Sequence, residues 1–169
     1  DFVAGALSQK KIVVMSDGTP WRPLINVKDM ARAIEWGVTR VAEEGGNGLV
    51  VNVGSNEWNC QVKDLANAVA QTIPGVEVSI NKSAPPDKRS YRVSSDLFKQ
   101  LAPNFQPLSD LKSTILELKE GLERVNFSDK VYRESQYMRL NVINKFREAG
   151  VLTDNLEWSW SMYKADVVH

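Results

Sequence analysis

The 169 residues carry 21 Lys and Arg against 21 Asp and Glu, so the formal net charge is zero, with 43% hydrophobic and 25% charged residues. A chain of this size and balance can bury one good core, or one core with a loose tail; it offers no general cationic surface for nucleic acid or membrane, but leaves room for a small cationic pocket. One cysteine, Cys60, and one histidine, His169, rule out an intramolecular disulfide and a thiolate zinc site, and argue against a His-ligated metal or a Ser-His-Asp triad. No apolar run is long enough to span a bilayer and no segment reads as a signal peptide, so the expected setting is reduced and cytoplasmic.

Residues 2–9 read as the end of a helix with no cap before it, which makes the chain an expected segment of a longer protein; a processed terminus is the alternative. Lys11 to Met15 is an apolar run of strand length, and Asp17-Gly18-Thr19-Pro20 is turn chemistry. Arg22 to Val27 resumes as a strand. Asp29 is placed to cap a helix on which Met30, Ile34, Val38 and Val41 recur at helical spacing, until Gly45-Gly46 ends it. Leu49 to Val53 is apolar on both faces, as in a central parallel strand.

Val62, Leu65, Ala66, Val69 and Ile73 mark the next helix, stopped by Pro74-Gly75. Val76, Val78 and Ile80 alternate as a half-buried strand, and Tyr91 and Val93 as a short one. Asp96 is placed to cap a short helix with Leu97 and Leu101. Ser109 opens an amphipathic helix with Leu111, Ile115, Leu118, Leu122 and Val125 on one face, and a last helix spans about residues 134–149, ended by Gly150. The class is α/β, with strands and helices alternating early and helices dominating late.

The turn at residues 17–20 delivers Arg22 into the mouth of an apolar strand. An arginine held by backbone on both sides suits a phosphate or diphosphate, because its planar donors meet two oxygens at once; a salt-bridged surface arginine is the alternative. In an alternating segment Arg92 shares the face of Ser90 while Arg89 lies opposite, so the two do not easily serve one pocket. Asn52 ends a strand, where ligands of open α/β sheets gather, or else satisfies a nearby loop. Cys60 lies near a helix start, where a thiol can be acidified, but reads better as a bystander. Trp158 and Trp160 can stack a base or simply pack the tail.

Four stretches carry a resemblance: Gly18, Arg22 and Asn26-Val27-Lys28-Asp29; Val51-Asn52-Val53-Gly54; Asp87-Lys88-Arg89-Ser90-Tyr91-Arg92-Val93; and the helix from Ser109 to Leu122 after Gln106-Pro107-Leu108. In this order and spacing the chain resembles extended short-chain dehydrogenases/reductases, the nucleotide-sugar epimerase/dehydratase family, over residues 1–125 and more loosely in the tail. It departs from that family in lacking the glycine-rich dinucleotide turn and the Tyr-x-x-x-Lys pair. Asn26 stands where relatives have His, and Ala84, Pro85 and Pro86 fill the place of an arginine that some relatives carry.

The resemblance implies the C-terminal, substrate-binding part of a Rossmann-type enzyme. Residues 1–125 would hold the substrate side and the remaining strands of the sheet, and residues 126–169 a helical extension. Arg22 and Arg89 would fork the two phosphates of a nucleotide-diphosphate sugar, and Asn52 would help hold the nucleotide portion. Tyr91 would be a core residue with its hydroxyl near the substrate, and the strand through Val13 would read the base edge with backbone groups. NAD or NADP would belong to the parent enzyme, none being bound by this chain alone, and the catalytic pair would lie in the missing N-terminal part. Such a piece is expected to expose an apolar surface where that part packs. The competing readings are a free-standing, non-catalytic nucleotide-sugar-binding module and a structural docking domain.

Overall fold

The computed structural model describes residues 1–85 and 87–159. Residues Phe2–Phe127 form one compact unit; those from Ser128 onward, with Asp1, form another. No helix among the described residues is long and apolar enough to cross a membrane.

The first unit is built on two small pairs of strands. In β1 (Lys11–Val14) Ile12 and Val14 point inward and Val13 outward, the alternation that a strand with one covered face requires. It pairs in parallel with β4 (Glu77–Ile80), Ile12 opposite Val78 and Val14 opposite Ile80. Helices α1 (Phe2–Gln9), α3 (Val62–Thr72) and α5 (Leu111–Arg124) close over the inner face with Val3, Ala6, Ala66, Val69 and Ile115. Each buried Val or Ile contributes about 1.5–3 kcal/mol by leaving water. The second pair is an antiparallel ribbon of β2 (Trp21–Pro23) and β3 (Asn59–Gln61), with Arg22 opposite Cys60.

Between β1 and β2 the chain turns at Gly18, whose φ is +81°, and a Cβ there would stand 2.8 Å from the Cβ of Lys63. Both the backbone angle and the close approach require glycine. The turn is locked by Lys63 N–H donating to the Gly18 carbonyl.

A second core forms where α2 (Val27–Thr39) meets α4 (Asp96–Leu101). Trp36 and Phe98 pack edge to face at 5.4 Å, with Ala33 and Ala102 beside them. The buried face of α2 is Asp29, Ala33 and Trp36. Its apolar stripe of Met30, Ile34 and Val38, together with Val27 and the following Val41, faces outward instead: Ile34 is 61% and Val38 80% exposed. Periodicity located a stripe but not its partner: Trp36 and the small Ala33 bury against Phe98, and the longer row does not.

Several expected elements differ. Residues 49–53 form no strand, because no neighbour among the described residues offers a ladder. Leu49, Val51 and Val53 pack against the second core, while Val50 is 97% exposed. Tyr91 and Val93 lie in irregular chain for the same reason, and Tyr91 is exposed, not a core residue. The stretch after Arg22 leaves the ribbon at Pro23, since α2 starts earlier than expected.

Three caps also shift. Asn26, not Asp29, caps α2: its Oδ1 accepts from Lys28 N–H, and its Nδ2 donates to Thr114 Oγ1 on α5. Asp29 is buried and accepts from the backbone N–H groups of Leu108 and Ser109, tying the loop before α5 to α2. Ser95 precedes α4, and Asp110, not Ser109, caps α5 through a reciprocal pair with Ser113.

In the second unit α6 covers Arg139–Glu148, shorter than expected. Tyr132–Glu134 closes a separate 3-10 turn in which Ser135 Oγ donates to the Tyr132 carbonyl. Gly150, at φ +71°, ends α6, and Phe146 meets Trp158 at 6.0 Å. Trp158 therefore packs, though 61% exposed. Pro86, Trp160 and His169 lie outside the described residues.

The two faces of α2 give a direct contrast. Trp36→Ala is expected to destabilise the first unit by about 3–5 kcal/mol in urea unfolding, and Ile34→Glu by no more than about 0.5 kcal/mol.

Candidate anion site

The segment that carries Arg89 has no ladder to hold it, and side chains take that role. Asn59 donates through Nδ2 to the Val93 carbonyl and accepts at Oδ1 from Val93 N–H, both at 2.9 Å, as a neighbouring strand would. Asn56 accepts from Ser95 N–H and donates to Asp96. Asn52 donates to the Ser94 carbonyl at 3.2 Å. Further up, Trp21 N–H donates to Ser90 Oγ, and Tyr91 N–H to the Trp21 carbonyl. Residues 90–96 are thereby fastened to the β2–β3 side of the fold.

That fastening brings the two predicted arginines together. Arg22 leaves β2 half-buried and donates through Nη1 to the carbonyls of Trp21 and Arg89, and through Nη2 to Asp87 Oδ2 at 2.7 Å. Asp87 in turn takes Arg89 as a fork, Nε to Oδ1 and Nη2 to Oδ2 at 3.0 Å each, and accepts Arg89 N–H as well. One carboxylate thus bridges two guanidinium groups, and the three side chains carry one net positive charge. The Arg89 side chain is 83% exposed, whereas those of Arg22 and Asp87 are 28% and 22% exposed.

Arg92 goes elsewhere: its guanidinium stacks over the Trp21 ring at 4.6 Å.

The remaining candidates stand differently. Asn52 is exposed and spends its amide on Ser94, so it serves the loop in this state. Tyr91 is 55% exposed. Val13 is 37% exposed on the outer face of β1, opposite Ser79, and no hydrogen bond or ion pair among the described residues links it to the arginines. Cys60 sits opposite Arg22 in the ribbon, yet its thiol is pushed up, by burial first and by the Asp64 charge second, so it is not an activated nucleophile. Among the described residues no three His, Cys, Asp or Glu side chains gather in a way that could hold a metal ion.

Residue reading missed Asp87 as a site member, together with Asn56 and Asn59. Asp87 was visible only as part of a motif, and nothing in the sequence says which basic group a carboxylate will reach. The recurrence of Asn at 52, 56 and 59 is a signal in retrospect: side-chain amides can replace a missing ladder.

Arg89, through side-chain and backbone hydrogen bonds, and then Arg22 hold the Asp87 carboxyl at about 2, below its ordinary 3.8. A depressed carboxylate contributes its tie fully above the unfolded value and loses it as pH falls through the folded one. The bridge is therefore expected to be intact down to about pH 4 and to open as pH falls towards 2. A carboxyl-carbon NMR titration of Asp87 checks this; a midpoint near the ordinary value would show that the arginines do not hold it.

Residues 1–54 match the sequence model of the NAD dependent epimerase/dehydratase family. The match takes in Gly18, Arg22, Asn26 to Asp29 and Asn52, and stops before Asp87 and Arg89. No curated protein matches the chain. The described residues do not fit the dinucleotide that the family description implies. Gly18 links two strands, Gly54 enters a 3-10 turn, and Gly45, Gly46, Gly75 and Gly150 follow helices, so none stands between a strand and a full helix N-terminus, where a diphosphate would be cradled. Over residues 1–54 the chain is similar to NAD dependent epimerases and dehydratases.

Proposed function

We propose that the Phe2–Phe127 unit is the substrate-binding portion of an NAD(P)-dependent epimerase or dehydratase of nucleotide sugars, working in the cytoplasm. Its task is to grip the nucleoside diphosphate while another part of the parent protein carries the dinucleotide and the Tyr-x-x-x-Lys pair. The observation that supports this best is the meeting of Arg22 and Arg89 across 67 positions of sequence, at the edge of a short ribbon. The family match over residues 1–54 supports it independently. Two guanidinium groups on separate segments suit two linked phosphates, each fork meeting two oxygens. Holding this non-reacting handle orients the sugar, so binding energy spent far from the chemistry lowers the barrier at the reacting carbon.

The outward stripe of Val27, Met30, Ile34 and Val38 fits the same reading. A row of this length on a helix that already has one buried face is the kind of surface that the catalytic part would cover.

Calorimetric titration with UDP-, dTDP- and GDP-sugars tests the proposal. At least one is expected to bind, with Arg22→Ala and Arg89→Ala each weakening it by about tenfold or more, the loss typical of a charge-assisted fork. Absence of binding to all three, or binding indifferent to both substitutions, would overturn it. The purified chain with added NAD is also expected to show no interconversion of these sugars; turnover would place the catalytic groups within these 169 residues.

A further inference from the structure

Asp87 occupies the position that the proposed diphosphate needs. Its two oxygens take the Nε–Nη2 edge of Arg89, the edge that forks an anion best, and one of them also takes Nη2 of Arg22. The remaining Nη1 donors of Arg22 are spent on the carbonyls of Trp21 and Arg89. An incoming anion therefore finds one net charge and two forks already filled by a carboxylate of the same shape.

We infer that Asp87 is a built-in competitor at this site, so that a ligand binds by displacing its carboxylate and only an anion of more than one charge displaces it well. The inference rests on the anion-binding reading given above and adds to it a selection rule. A monoanion offers the two arginines no more than Asp87 already gives them, and it lacks the advantage of being tethered beside them. A diphosphate brings more charge and more oxygens, enough to engage both guanidinium groups separately. Asp87 then swings away as a free carboxylate on an irregular, exposed segment, whose backbone is anchored further along by Asn59 and Asn56 and need not move as a whole. The carboxylate also serves the free protein: it keeps two like charges from repelling one another, so the arginines wait together.

The test compares inorganic phosphate and pyrophosphate binding to the wild-type chain, Asp87→Asn, Arg22→Ala and Arg89→Ala at one ionic strength by calorimetry, after thermal melts confirm folding. Wild type is expected to bind pyrophosphate more tightly than phosphate, in a way that depends on both arginines. Asp87→Asn, which keeps the shape and removes the charge, is expected to tighten pyrophosphate binding by about tenfold or more and to narrow its lead over phosphate. Unchanged or weaker binding by Asp87→Asn, with the arginine dependence intact, would overturn the competitor role and leave the anion-site reading standing. Pyrophosphate binding indifferent to both arginines, or no binding by any variant, would overturn both.

A second measurement needs no substitution. In wild-type protein saturated with pyrophosphate, the Asp87 carboxyl is expected to titrate well above its free-protein value of about 2, because displacement removes its arginine partners. A value still near 2 would mean that the carboxylate stays in place, and the inference would fall.

Discussion

The site depends on side-chain amides standing in for a strand. Residues 90–96 run beside the β2–β3 ribbon without forming a ladder, and an extended segment with unpaired backbone groups near a core is costly unless something satisfies them. Asn59 does so with both halves of its amide on Val93, and Asn56 continues on Ser95 and Asp96. Most of these bonds come from side chains, so they fix the segment at separate points and not along a continuous ladder. Arg89 and Asp87 lie just before the first of those points. Their position opposite Arg22 follows from the hydrogen bonds that tie the segment to the ribbon and from the Arg22–Asp87 ion pair.

The same economy of contacts shapes the rest of the first unit. Asp29, a carboxylate at a helix start, holds the loop that leads to α5, and Asn26 both caps α2 and reaches Thr114. Two polar residues near the start of α2 thus tie it to α5 and to the loop before it. This lets α2 commit Trp36 and Ala33 to Phe98 and keep its second, apolar face outward. The helix thus has one face buried and an apolar row in solvent, and it lies within the residues that match the epimerase/dehydratase family model.

Local pattern was legible wherever one residue type settles the matter. The strand-length apolar run from Lys11, the stripe of α3, the breaker at Pro74-Gly75 and the turn at Gly18 all read from the chain, since each rests on spacing, run length or backbone angle alone. Arg22 was legible as a fixed cation because a turn and a strand bracket it. What failed was anything needing a partner at a distance. Leu49 to Val53 and Tyr91 to Val93 have strand composition, yet a strand exists only where a neighbour supplies hydrogen bonds. Asp29 and Asp96 have cap chemistry, yet Asn26 caps α2, and Ser95, with no side-chain cap bond, stands at the start of α4.

The sequence by itself determined the α/β class, the helices and strands of the first core, and Arg22 as a candidate anion ligand, because periodicity and backbone chemistry act over a few residues; Arg89 was singled out only through the family resemblance. Only the tertiary structure decided which face of α2 is buried, that Asn59 and Asn56 replace a ladder, and that Asp87 bridges Arg22 and Arg89. The reason is common to all three. Each is a pairing between groups far apart in the chain, and its free energy depends on who else competes for the same donor, acceptor or apolar surface once the chain has folded.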